Sequence, residues 1–332
     1  MKKTKKIIAL AVTTLLLTGC GSDSYLKKGK QIITNPETGQ SIQKNILCQP
    51  TDKNLLKIYK DNEKQLDYKL DELPTCKNFK INSGTYHSLW ESIFVKPLAY
   101  IILKLGYLIK NFGVSVMLVG LLIRLILLPF SKKTMMQSEN MKKANPELQR
   151  IEKKYANKTS QEDMMAKSQE MMMVYKKYGV NPVSSCLVTF IQLPLFFAFL
   201  QAINRVPAIF EDKFLTMNLG MTPYKGIANG QYIYIVLILL IILTTYFSFK
   251  KSMSGNAAGA MGTEAEKQMN FMFKFMIIMI SVASFSLPTA IGLYWIVTNA
   301  FAIFQNALIK KMMAKEDKKD RIIKPEKKTK KN

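Results

Sequence analysis

Apolar residues recur in five long runs separated by polar stretches. The first run, residues 112–130, reads FGVSVMLVGLLIRLILLPF. At 1.5 Å per residue, a helix of that length spans about 28 Å, close to the thickness of a bilayer's hydrocarbon core. Further runs cover 182–203, 231–249, 271–287 and 289–309, the last two divided by Pro288. Each half of the 271–309 block is short, which predicts two helices in a hairpin with some local thinning of the bilayer. Together the runs predict an all-α polytopic membrane protein.

The segments between them carry their own periodicities. Over 87–111, Trp90, Phe94, Leu98, Ile101, Ile102, Leu105 and Leu108 recur at helical spacing, with Lys96, Lys104 and Lys110 placed to snorkel. This predicts an amphipathic helix lying in the membrane interface. Residues 131–180 are polar and Met-rich, with a break at Asn157–Ser160 and a cap-like spacing of Ser160 and Asp163. Two helices, about 131–156 and 160–178, are expected to fold as an antiparallel hairpin, with Pro146 kinking or restarting the first. The methionines there fit plain helix content as well as a soft surface for varied apolar segments. Residues 204–230 read as a loop, and 250–270 as a Gly/Ser/Ala-rich connection.

Charge then orients the chain. It has 332 residues, 48% of them hydrophobic, yet a net charge of +25. The hairpin and the 310–332 tail are the basic segments, and alternation of the runs places both on one side, the cytoplasm. The basic excess suggests contact with anionic lipid headgroups or nucleic acid, and position decides which.

At the N-terminus, Lys2, Lys3, Lys5 and Lys6 precede a short apolar run that closes on Leu17-Thr18-Gly19-Cys20. That pattern is similar to a bacterial lipobox. It predicts a signal peptide over 1–19, cleavage before Cys20, and lipidation of that thiol by a diacylglycerol and an N-acyl chain. No other cofactor is expected. Residues 20–86 would then be an external, lipid-anchored segment, in which Cys48 and Cys76 could be bridged or remain two free thiols. Four cysteines, one histidine and no CxxC exclude a disulfide scaffold and a zinc site.

Arg124 sits about two-thirds of the way along the first run. A lipid-facing arginine at a helix centre costs about 2.5–3.5 kcal/mol on insertion scales. No Asp or Glu lies inside another apolar run, which leaves water, a headgroup or an arriving chain to neutralise it. Gly113 and Gly120 share its face, and such small side chains suggest an open, wet groove. The fifth run has a polar face of Tyr294, Thr298 and Gln305, with Trp295 beside it. Gln192 in the second run and Thr245 and Ser248 in the third add further polar groups. Each of these could equally be interhelical glue, worth roughly 0.6 kcal/mol on average.

In order along the chain come Ile123-Arg124-Leu125-Ile126-Leu127-Leu128-Pro129, then Tyr175-Lys176-Lys177-Tyr178-Gly179-Val180-Asn181-Pro182. Ile191-Gln192-Leu193-Pro194, Gly292-Leu293-Tyr294-Trp295 and Gln305 follow. Over about 87–309 the chain resembles the YidC/Oxa/Alb family of membrane protein insertases, in the lipoprotein form of Gram-positive-type bacteria. The resemblance implies a five-transmembrane-helix bundle with a cytoplasmic helical hairpin and a hydrophilic groove holding Arg124. It implies nascent membrane proteins as substrates, with the Sec translocon and, through the basic tail 310–332, the ribosome as partners.

No GxxxxGK followed by Ser or Thr occurs, so nucleotide hydrolysis is not expected, and the chain is not expected to be an enzyme. A small-solute or lipid transporter is the alternative. It would show an internal repeat and intramembrane acidic groups, and neither is evident.

Overall fold

A computed structural model describes residues 24–84, 86–180, 194–255 and 263–323. Cys20, the segment preceding it and Gln192 lie outside the described residues, as does most of the second apolar run. The chain divides into two compact units. One comprises Met1–Ile123, Phe190–Leu243 and Ile278–Thr298, and the other Arg124–Thr189, Thr244–Ile277 and Asn299–Asn332.

Helices dominate. Three stretches, Glu91–Ile109, Ile233–Lys250 and Thr289–Met313, are long and apolar enough to cross a membrane. A fourth is added if Phe112–Ile126 and Leu128–Lys154, bent by 55° at their junction, count as one span. The structure therefore has three to four candidate spans among the described residues, against five expected. The segment expected to lie in the interface qualifies as a span by length and composition, while only Pro194–Asn204 of the second run is described. The first run does not continue to Pro129 as one straight helix. It breaks at Leu127, since Pro129 sits in the first turn of the next helix, where its missing N–H costs nothing.

In the first unit, residues 24–84 form a packed subdomain, more than the polar sequence suggested. Short strands β1 (Lys27–Lys28) and β2 (Gln31–Ile32) pair antiparallel. Helix α1 (Lys53–Asp61) is capped by Asp52, which accepts from the Leu55 N–H. Leu26, Ile42, Ile46, Leu55, Tyr59, Leu70 and Leu73 make its core. Cys48 and Cys76 are bridged. The bridge closes a loop across a sequence separation of 28, worth about 3–4 kcal/mol in the chain-entropy account.

This subdomain is tied to the segment after Pro194–Asn204. Leu47 donates its N–H to the Arg205 carbonyl at 2.8 Å, and the Thr222 N–H reaches the Thr38 carbonyl at 2.8 Å. Glu211 accepts from the Thr51 hydroxyl and from the Thr51 and Asp52 N–H groups.

Beneath these bonds lies a buried ion cluster. Arg205 Nη1 is 2.9 Å from Glu91 Oε2, and Lys96 Nζ is 3.5 Å from Glu91 Oε1. Lys96 also donates to the Ser83 carbonyl at 2.9 Å, and Arg205 Nε to the Asn45 carbonyl at 2.5 Å. All three side chains are under a tenth exposed. Charges so placed survive only as a set, because each alone would lose its hydration without replacement.

Helix α2 (Lys96–Ile109) ends at Lys110, whose φ of 58° turns the chain into α3 (Phe112–Ile126). The turn is close-packed: a Cβ on Gly106 would lie 2.2 Å from the Phe112 ring. Asp212 accepts the Phe112 N–H at 2.7 Å, and the Ser115 hydroxyl donates to the Ile102 carbonyl at 2.6 Å.

In the second unit, α4 (Leu128–Lys154) packs on α5 (Gln161–Lys177). Met141, Ala144, Leu148 and Val174 meet in the seam, with Val180 just beyond it. Lys177 pairs with Glu147 at 2.6 Å, and Lys154 with Glu170 at 2.5 Å. Hydrogen bonds from Lys177 and Tyr178 hold the Glu147 carboxyl below the usual carboxylate range, and Lys154 and Tyr155 do the same to Glu170. Ser160 caps α5, accepting from the Asp163 N–H. Pro146 does not restart α4. It faces solvent, where water can take over the displaced carbonyl, while buried Ala144 and Leu148 hold the helix on either side of it. The methionines split between two roles. Met135 and Met141 are buried, whereas Met164, Met165, Met172 and Met173 are exposed.

Glu91→Ala leaves Arg205 and Lys96 as uncompensated buried cations. It should lose about 3–5 kcal/mol, read as a lowered Tm in detergent. The double Glu91→Met/Arg205→Met variant should lose less than Glu91→Ala alone.

Candidate functional site

Helix α6 (Pro194–Asn204) is followed by α7 (Pro207–Phe210), a two-residue strand pair β3 (Lys213–Phe214) and β4 (Met217–Asn218), and α8 (Pro223–Ala228). Helices α9 (Ile233–Gly255), α10 (Thr263–Ala283) and α11 (Thr289–Ile323) complete the chain.

Along α9, the buried positions Tyr234, Leu237, Ile238, Ile241, Thr245 and Ser248 recur at helical spacing. Leu239, Leu243, Tyr246 and Phe247 are exposed on the same helix. Apolar side chains therefore face outward while Thr245 and Ser248 face inward, as expected of a helix solvated by lipid. Thr245 Oγ1 accepts from Asn299 Nδ2 at 3.4 Å, a long contact.

On α11, Tyr294, Thr298 and Gln305 are all buried. Thr298 satisfies its hydroxyl locally, donating to the Tyr294 carbonyl at 2.7 Å. The Tyr294 ring stacks on Phe199 of α6 with centroids 4.0 Å apart, and half-buried Trp295 meets Phe196 edge-on at 4.9 Å. Gln305 is 3% exposed, yet its Oε1 has no hydrogen-bond partner among the described residues. Such an unmet acceptor costs about 1–3 kcal/mol, which makes this amide the most demanding polar group of the expected set.

Two expectations are corrected. Gly113 and Gly120 do not open a space beside Arg124. A Cβ on Gly120 would lie 2.8 Å from the Tyr294 ring and 3.0 Å from Thr298, and one on Gly113 would lie 2.8 Å from Phe214. These glycines are points of closest approach, occupied by aromatic rings. Nor is Arg124 solitary: it is half-buried and engaged with a neighbouring group of the chain.

The structure thus brings Tyr294 and Thr298 together against Gly120, and joins Thr245 to Asn299. It buries Ser248 and Gln305, and Gln192 falls outside the described residues. Sequence reasoning missed Glu91, Arg205 and Gln201, whose Oε1 accepts the Trp90 indole N–H at 3.1 Å. The available signal was one acidic and one basic residue at the ends of two apolar runs. Among the described residues, no three His, Cys, Asp or Glu side chains gather as a metal site.

A helical chain with outward apolar faces and inward polar ones is a multi-pass membrane protein. Residues 104–317 match the sequence profile of the family described as 60Kd inner membrane protein. The "Membrane protein insertase YidC" of Oceanobacillus iheyensis is 36% identical over 230 residues, covering 69% of this chain and 86% of that protein. The "Membrane protein insertase MisCA" of Bacillus subtilis is 35% identical over 242 residues, covering 72% and 86%. The "Membrane protein insertase YidC 2" of Bacillus anthracis is 34% identical over 223 residues, covering 67% and 81%. The chain belongs to the YidC/Oxa1 family.

Gly120→Val should overpack the Tyr294 contact and cost about 1–3 kcal/mol, measured as a drop in Tm. Adding Tyr294→Ala should restore part of that loss; no restoration would show that the glycine matters for another reason.

Proposed function

We propose that the chain is a membrane protein insertase and chaperone that moves nascent segments from the cytoplasm into the bilayer without nucleotide hydrolysis. The observation that carries this reading is the likeness to relatives named membrane protein insertase, over most of their length. The buried carbonyl of Gln305, which has no hydrogen-bond partner among the described residues, supports a polar path for the substrate.

A nascent single-span protein brings an apolar helix and a short polar flank. Arg124, Gln192, Thr245, Ser248, Tyr294, Trp295, Thr298 and Gln305 are the polar positions proposed to meet that flank. Arg124 attracts negative charge and is no catalyst. Partition of the apolar helix into lipid drives the step, with about −0.3 to −0.6 kcal/mol per Leu, Ile, Phe or Val near the centre. Outward movement of a negative flank gains a further ~2.3 kcal/mol per charge per 100 mV. The exposed methionines of α5 offer the apolar helix a compliant first contact. We place α4, α5 and the 310–332 tail in the cytoplasm, the tail meeting the ribosome, and residues 20–86 outside on a lipidated Cys20. The Sec translocon is a proposed partner.

Purified protein in liposomes should insert a small single-span substrate, scored by protease protection, with no nucleotide added. Arg124→Lys should retain most of this activity. Arg124→Ala should lose it severalfold for substrates with acidic flanks and little for neutral ones. Equal insertion of acidic-flanked substrates by the Ala variant would refute the role of Arg124.

A further inference from the structure

The disulfide at Cys76 fixes a short turn, Cys76–Asn78, against helix α2. Phe79 is buried to 2% exposure and anchors the chain just beyond that turn. Lys77 and Lys80, on either side of this anchor, are held at the surface. Facing them from α2 is Lys104, its ammonium 5.6 Å from the Tyr100 ring centroid. Lys77, Asn78, Lys80, Ile81, Tyr100 and Lys104 border an open basin of about 610 Å³. No carboxylate lines it, and none of the three ammonium groups is in an ion pair among the described residues.

What surrounds the basin says which anion it fits. Ile101, Lys104 and Leu108 fall on one stripe of α2, at spacings of three and four. Ile101 is 41% exposed and Leu108 77% exposed, and across the basin Ile81 is 45% exposed. A soluble anion would gain nothing from these apolar side chains. A lysine in the middle of an outward apolar stripe sits comfortably where headgroup phosphates begin and hydrocarbon ends.

We propose that Lys77, Lys80 and Lys104 bind the headgroup phosphate of an anionic glycerophospholipid, whose acyl chains lie along Ile101 and Leu108. The site is formed jointly by the 24–84 subdomain and α2 and requires no insertase activity. Its effect is to fasten residues 76–81 and α2 to the membrane surface.

The test uses the full-length protein in neutral detergent with added phosphatidylglycerol or phosphatidylcholine, the retained lipid being counted by native mass spectrometry. The wild type should retain phosphatidylglycerol over phosphatidylcholine. Lys77→Gln/Lys80→Gln/Lys104→Gln should weaken that retention by roughly fivefold per lysine. Lys53→Gln/Lys57→Gln/Lys60→Gln removes the same charge from exposed positions of α1 and should leave it unchanged. Lys77→Arg/Lys80→Arg/Lys104→Arg should preserve it. Equal loss in both glutamine triples would reduce the effect to net charge and overturn the site. So would equal retention of phosphatidylcholine. Displacement by glycerol phosphate at equal concentration would assign the basin to a free phosphate instead of a lipid. A Tm matching the wild type in each variant keeps folding out of the comparison.

Discussion

A polar group inside apolar surroundings must be satisfied or pay for its lost hydration, and this constraint decides where the chain's few buried charges stand. Glu91, Lys96 and Arg205 answer it together. One carboxylate takes two cations, at 3.5 Å and 2.9 Å, and the cations spend further donors on the Ser83 and Asn45 carbonyls. The cluster fastens three parts of the chain: the start of an apolar helix, the end of another and the 24–84 subdomain. Residues 24–84 are thereby tied to the segments that carry Glu91, Lys96 and Arg205, although they precede the 104–317 stretch matched to the family.

The same constraint acts on the polar residues of α9 and α11. Thr298 spends its hydroxyl on its own helix, and Thr245 has Asn299. Tyr294 works chiefly as a ring, stacked on Phe199 and received by the missing Cβ of Gly120. Thr245 and Tyr294 thereby also join neighbouring helices. Gln305 is buried, and its side-chain carbonyl has no hydrogen-bond partner among the described residues.

The helical periods, the break at Pro288 and the Ser160 cap were legible because each rests on local spacing, and the family motifs were legible as short ordered strings. What escaped depended on partners distant in sequence. Nothing near Glu91 announces Arg205, more than a hundred residues on, and nothing in a polar stretch rich in lysine announces the core around Leu26 and Tyr59. Gly113 and Gly120 misled for the same reason. A missing side chain reads as empty space until the ring that fills it is known. Pro146, expected to kink or restart its helix, lies inside α4 without restarting it.

The central claim is that the polar residues turned inward on these helices receive the polar flank of a substrate. Its most direct test is a photo-crosslinker on the acidic flank of an arrested single-span chain, with the trapped residues mapped by mass spectrometry. The account predicts trapping beside Arg124, Thr245, Ser248 and Gln305. Trapping confined to outward residues such as Leu239, Leu243 and Phe275 would contradict it.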